Sequence, residues 1–145
     1  MATLLDRVRA MIAGTAPQPP VADLIGFRVV EVEKDRAVFA LDAGPQHANP
    51  MGTLHGGILC DLADAAMGIA YASTLEEGET FTTLELKINF FKPIWTARLT
   101  ATARIVKRGR TVGMTECDVV DEKGSLVARA SSTCMTLSGK MAEGR

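Results

Sequence analysis

Asn49-Pro50-Met51-Gly52-Thr53-Leu54-His55-Gly56-Gly57, continuing as Ile58-Leu59-Cys60-Asp61-Leu62-Ala63-Asp64-Ala65-Ala66-Met67-Gly68-Ile69-Ala70-Tyr71, is the stretch on which the reading of this chain turns. Its first part ends a polar segment from Ala43 to Thr53, broken by Pro and Gly, which predicts a loop. From Ile58 to Tyr71 the residues are rich in Ala, Leu and Met and poor in β-branched types, which predicts a helix. Being apolar on almost every face, that helix is expected to be buried. Asp61 and Asp64 interrupt it, and a carboxylate in such a setting is rare unless paired, hydrogen-bonded or functional. The ordinary structural alternative puts one of them in water at the sheet edge and has the other cap a neighbouring loop. Gly56 and Gly57 offer two backbone N–H groups at the helix N-terminus, where unpaired donors and the dipole favour negative charge. Such donors suit an oxyanion, although glycines here also permit a sharp turn into the helix. His55 is chemically able to act as a general base, but the favoured reading is that it fixes the loop by hydrogen bonds. Asn49, before Pro50, is a turn residue whose amide can also orient a water or a carbonyl.

Outward from this helix the chain reads as strands. Phe27–Glu33 and Arg36–Asp42 flank a tight turn at Lys34-Asp35, which predicts a hairpin. After Ser73 and the polar turn Glu76-Glu77-Gly78-Glu79 come four more β-rich runs, at Phe81–Phe91, Ala97–Val106, Thr111–Asp121 and Leu126–Leu137. Lys92-Pro93, Lys107-Arg108-Gly109-Arg110 and Glu122-Lys123-Gly124 break them. Two strands, one buried helix and four strands predict an antiparallel sheet wrapped around a central helix, an α+β design. At the N-terminus, Leu4, Leu5, Val8, Met11 and Ile12 recur at helical spacing, and Pro17, Pro19 and Pro20 cannot continue that helix. The expected organisation is a helix and Pro-rich linker over residues 1–20, a single domain over 21–138 and a polar tail over 139–145.

The composition narrows the function. The 145 residues suffice for one core, and Lys+Arg 16 against Asp+Glu 17 leaves no net field to attract nucleic acid or an anionic membrane. Any anionic ligand must be met locally. No segment approaches the ~20 apolar residues of a bilayer span or resembles a signal peptide, so a cytoplasmic protein is expected. Cys60, Cys117 and Cys134 are odd in number and widely spaced, which is neither a disulfide framework nor a metal pattern; they are read as core thiols. With two histidines and no ligand spacing, no metal or cofactor is expected. Met67, Tyr71, Phe81, Phe90, Phe91 and Trp95 are assigned to core or interface, with some free to line a pocket.

The run N-P-x-G-T-L-H-G-G, an apolar helix with an acid nine residues after the histidine, and the later run from Thr82 to Pro93 together resemble the hotdog-fold thioesterases of the phenylacetate-degradation (PaaI) type. The likeness extends from Leu24 to Leu137. It implies acyl-CoA hydrolysis with Asp64, not Asp61, as the catalytic carboxylate. It further implies the Gly56 N–H as oxyanion donor, Asn49 as the positioning amide and His55 in support. Some relatives carry a hydroxyl where this chain has Gly68, which leaves Ser73 and Thr83 as substitutes. For the CoA phosphates the resemblance points to Arg108, Arg110 and Thr111 with Gly57, and less to Lys87 and Lys92. The eight steps from Gly56 to Asp64 span ~12 Å of helix, too far to act on one carbonyl, so a complete site needs two chains. The resemblance accordingly implies a homodimer with shared sites, commonly assembled as a tetramer. Two other readings stay open: a non-catalytic acyl-CoA-binding protein, and a hotdog hydratase or dehydratase.

Overall fold

Thr3 opens the chain's first helix by a reciprocal cap: its hydroxyl accepts the Asp6 N–H at 3.1 Å, and the Asp6 carboxylate accepts the Thr3 N–H at 3.0 Å. The computed structural model describes residues 2–145. Helix α1 (Leu4–Ile12) buries Val8 and packs on the first strand. The stretch read as a linker runs straight into a second helix, α2 (Pro20–Ile25), which the prolines had concealed. Pro20 stands at the first helical position, where a missing N–H costs nothing, and Gly26 at φ 97° ends the helix in the left-handed region.

The hairpin β1 (Phe27–Glu33) and β2 (Arg36–Ala43) turns at Lys34-Asp35, with Asp35 at φ 69°. The predicted loop holds one short 3₁₀ turn, Pro45–His47, before the long helix α3 (Gly56–Ala72). Strands β3 (Thr80–Phe90), β4 (Ala97–Arg108), β5 (Val112–Val120) and β6 (Leu126–Leu137) follow, and all six strands form one antiparallel sheet in the order β1-β2-β4-β5-β6-β3. The sheet curls around α3. This is the hotdog arrangement, an α+β fold.

Small residues on both layers let helix and sheet approach closely. Ala63, Ala66 and Ala70 of α3 face Ala101 and Ala103 of β4, all fully buried, and Leu62, Met67 and Leu99 fill the remaining space. Truncating Leu62 or Met67 to Ala should cost about 2–5 kcal/mol, since neither cavity can collapse between two rigid layers. Among the described residues no helix is long and apolar enough to cross a membrane.

The expectation that α3 is buried all round needs correction. Gly57, Asp61, Asp64, Ala65 and Gly68 form a stripe that the chain's own sheet leaves uncovered, with both aspartates exposed. The sheet wraps one side of a cylinder, and residues three and four apart on the other side share a face. Cys60 is likewise half-exposed, unlike buried Cys117 and Cys134. Beside the stripe runs β3, a sheet edge on which no residue is fully buried and Leu84 and Phe90 stand more than half exposed. Phe91 and Trp95 are exposed as well, whereas Met67 and Tyr71 are fully buried.

Candidate active site

His55 makes the start of α3 what it is. Its backbone is extended (φ −63°, ψ 130°) and its Nδ1 accepts the Gly57 N–H at 2.9 Å. Of the two glycine donors expected to be available, the Gly57 N–H is therefore taken by the cap. The Gly56 N–H finds no acceptor among the described residues. The glycine at position 56 also admits a neighbour: a Cβ there would stand 2.9 Å from Cζ of Phe90. Gly56, Leu59, Phe90, Phe91 and Ile94 line a cavity at this end of the helix.

The loop before it is held from within. Asn49 Oδ1 accepts the N–H groups of Met51 (3.0 Å) and Thr53 (3.2 Å), and Asn49 Nδ2 donates to the Thr53 hydroxyl at 2.8 Å. Asn49 thus acts as a loop clamp in the single chain, with one amide hydrogen remaining for another partner. The loop's other anchor, His47, escaped the sequence reading. It is buried, pairs with the Gly44 N–H (3.2 Å) and the Ile25 carbonyl (2.7 Å), and its own carbonyl accepts the His55 N–H at 2.9 Å. A local backbone partner three residues away was the only signal for it.

Asp64 lies two turns further along, in the uncovered stripe. Although open to solvent on one side, its carboxyl is crowded enough that desolvation raises its pKa, the hydrogen bond from Thr83 pulls it back, and the Asp61 charge pushes it up again. Thr83 Oγ1 donates to Asp64 Oδ1 at 3.4 Å. A bulge places that hydroxyl: Thr83 pairs with Cys134 and Glu85 with Thr133, so Leu84 is the extra residue on β3. Behind Thr83 a chain of contacts continues to Cys134 Sγ (3.9 Å), Ser132 Oγ (3.8 Å) and Thr115 Oγ1 (2.6 Å) across the sheet interior. Of the two hydroxyls considered beforehand, Thr83 reaches the acid. Ser73 instead caps the end of α3, donating to the Ala70 carbonyl at 2.6 Å and accepting the Asp35 N–H at 2.9 Å.

Asp64 and Thr83 line an apolar cavity of about 330 Å³ whose other walls come from α1, α2 and the first hairpin. At the far end of α3 the basic turn is already engaged. The Arg108 guanidinium lies 4.8 Å over the Tyr71 ring, donates to the Thr74 hydroxyl at 3.0 Å and to the Gly109 carbonyl, and approaches Glu79 at 3.9 Å. Arg110 and Thr111 are exposed. Lys92 pairs with Asp121, and Lys87 bonds Asn89 Oδ1 at 2.9 Å.

The thioesterase superfamily profile matches residues 51–128, which contain Gly56, Asp64 and Thr83. The 1,4-dihydroxy-2-naphthoyl-CoA hydrolase of Listeria monocytogenes is 32% identical over 111 residues, 77% of this chain and 90% of that protein. Human acyl-coenzyme A thioesterase 13 is 26% identical over 136 residues, 92% and 96% of the two chains. The phenylacetic acid degradation protein PaaI of Thermus thermophilus, solved as a single-substitution variant, superposes with a TM-score of 0.75 at 30% identity, covering 81% of this chain and 98% of that one. A profile matched over more than half of the chain and a relative 32% identical along most of its length lead to one conclusion: this chain belongs to the thioesterase superfamily.

Proposed function

We propose that the protein hydrolyses acyl-CoA thioesters to a free acid and CoA, in sites shared between two copies of the chain. The observation that carries this reading is Asp64: a carboxylate of raised pKa, hydrogen-bonded by Thr83, on the wall of an apolar cavity. A protein that only binds acyl-CoA has no use for a desolvated acid where the thioester would lie.

The Gly56 N–H, at the positive end of the α3 dipole, stabilises charge developing on the thioester oxygen. Asp64 acts on the carbonyl carbon, either by drawing a proton from an attacking water or by direct attack to give a mixed anhydride that water then opens. In both courses the C–S bond breaks and the electron pair leaves with the CoA sulfur. A thiolate is a weak enough base to depart without a strong acid, which suits a site with few titratable groups. Asn49 keeps the loop that presents Gly56 in place and offers its remaining amide hydrogen to water or carbonyl, while His55 fixes the helix cap. Arg110 and Thr111 are the exposed groups on the basic turn for the nucleotide phosphates.

Because ~12 Å of helix separates Gly56 from Asp64, the acid serving one Gly56 comes from a second copy, and a two-fold pair holds two such sites. The uncovered stripe of α3 and the adjoining β3 edge are the surface for that copy, and two pairs back to back give a tetramer. The reading is tested by following thiol release from a panel of acyl-CoAs with the wild type and with Asp64→Asn and Asp61→Asn. Turnover falling on the order of 10²-fold or more for Asp64→Asn, and far less for Asp61→Asn, is expected. Equal small losses from both remove Asp64 from its role.

A further inference from the structure

The apolar cavity behind Asp64 is walled largely by residues that precede the superfamily match at 51–128. Val8 and Met11 come from α1, Val21 and Ala22 from α2, and Phe27 and Phe39 from the first hairpin. Its polar lining is confined to two places. Asp61, Asp64 and Thr83 form one, and Gln18, on the α1–α2 segment, is the other; its Nε2 donates to the Met11 carbonyl at 3.4 Å, while its Oε1 accepts no hydrogen bond among the described residues. The rest of the lining offers hydrocarbon contacts.

Resting on the thioesterase reading above, we infer that this cavity takes the acyl group, that its N-terminal wall sets the acyl size, and that the substrates are medium-chain acyl-CoAs. The volume of about 330 Å³ is roughly twice that of a ~150 Å³ hydrocarbon cavity that accepts benzene, which gives room for roughly eight to twelve carbons. A short chain leaves the cavity unfilled and forgoes roughly three- to fourfold in binding per missing methylene. Met11 is the adjustable part of the wall, because it is half-buried, unbranched and on a surface helix.

Two measurements test this with full-length protein. The first compares kcat/KM for acyl-CoAs from two to sixteen carbons, with phenylacetyl- and hydroxybenzoyl-CoA, for wild type, Met11→Trp and Met11→Ala. The second measures calorimetric binding of the uncleavable thioethers decyl-CoA and ethyl-CoA to the same proteins. Decanoyl-CoA is expected to exceed butyryl-CoA by ~10²-fold or more, six methylenes entering the cavity. Met11→Trp should move the optimum to shorter chains and weaken decyl-CoA binding at least tenfold, and Met11→Ala should move the optimum to longer ones. A flat chain-length profile, a preference for the hydroxyaryl substrate or an optimum unmoved by both variants overturns the cavity assignment while leaving hydrolysis intact. Thiol release from none of the panel, with decyl-CoA still bound far more tightly than ethyl-CoA and weakened by Met11→Trp, leaves the cavity assignment standing and removes the hydrolase. Equal binding of the two thioethers removes the cavity assignment whether or not turnover is seen.

Discussion

Gly56 can lose its N–H without losing its helix, which makes the proposed oxyanion donor directly testable. It is the first residue of α3, the position where proline's fixed φ fits and its missing N–H would have had no helical partner. The residue ahead, His55, is already extended at φ −63° and ψ 130°, as a residue before proline must be. Gly56→Pro therefore deletes the donor with little backbone strain. The new side chain does bring a contact, since a Cβ at 56 stands 2.9 Å from Phe90 Cζ. That atom is the far end of a ring that is 53% exposed and can tilt away. Gly56→Ala makes the same contact and keeps the N–H, so the ratio of the two variants isolates the donor. Relative to Gly56→Ala, Gly56→Pro should lower kcat by about 10²–10³-fold, or about 2.7–4 kcal/mol of transition-state stabilisation, with KM little changed. Stopped assays of thiol release on an acyl-CoA supply the rates, and thermal melts followed by circular dichroism confirm that both variants fold. If proline and alanine at 56 reduce turnover equally in folded protein, the Gly56 N–H does not stabilise the oxyanion.

The remaining expectations use other parts of the site. In the proposed reaction Asp64 works as its carboxylate, so kcat/KM should rise with pH through a midpoint lifted above the usual aspartate range by desolvation; Thr83→Val removes the hydrogen bond that lowers this pKa and should move the midpoint to still higher pH, whereas an unchanged midpoint separates Thr83 from the acid. Arg110→Ala should raise KM for an acyl-CoA more than for the matching acyl-pantetheine, which lacks the nucleotide phosphates, and an equal effect on both returns the basic turn to a solvated loop. Mixed dimers of Asp64→Asn with Gly56→Pro, verified by two affinity tags, should recover up to about half of wild-type activity per dimer, because one of the two shared sites then holds both intact groups. Activity no higher than the mean of the parents in verified mixed dimers rules out sharing.

Much of the fold was legible because strands and turns write strong local signals. β1 and β6 fall on the expected residues, and β2, β4 and β5 within two of them, since period-two alternation and Gly- or charge-rich turns bracket each run. Helix α2 was hidden because its prolines were read as breakers, when Pro20 stands where proline starts a helix. The open side of α3 was hidden for a different reason. Its exposed stripe is made of Gly57, Ala65 and Gly68 around the two aspartates, and such small residues carry almost no burial preference to betray a face. Asp64, Gly56 and His55 could be picked out as a motif, but the division of labour between the two glycine N–H groups depends on the His55 ring rotamer. Thr83 was one of two hydroxyls under consideration, and what separates it from Ser73 is a bulge at Leu84 that no residue type announces. The pairing of Arg108 with Tyr71, Thr74 and Glu79 is equally non-local, which is why its charge looked as available as that of Arg110.

The two halves of the proposed chemistry are exposed by the same gap in the fold. Curling the sheet around α3 buries the helix on the side of Leu62, Ala66 and Met67, and it must stop somewhere; it stops at β3, whose outer edge carries an unpaired ladder and an exposed Leu84. The stripe bearing Asp64 therefore lies beside β3, the sheet edge opposite β1. A second copy related by a two-fold axis can pair edge with edge and cover stripe with stripe at once, satisfying backbone donors and burying apolar surface in one step. That step also changes the electrostatics. Covering the stripe removes water from an acid whose pKa desolvation has already raised, and strengthens the field of the Gly56 N–H at the carbonyl it faces. The ~12 Å of helix between Gly56 and Asp64, too long for both to act on one carbonyl within a chain, becomes in the proposed two-fold pair the spacer that holds an acid and a donor for two substrates apart.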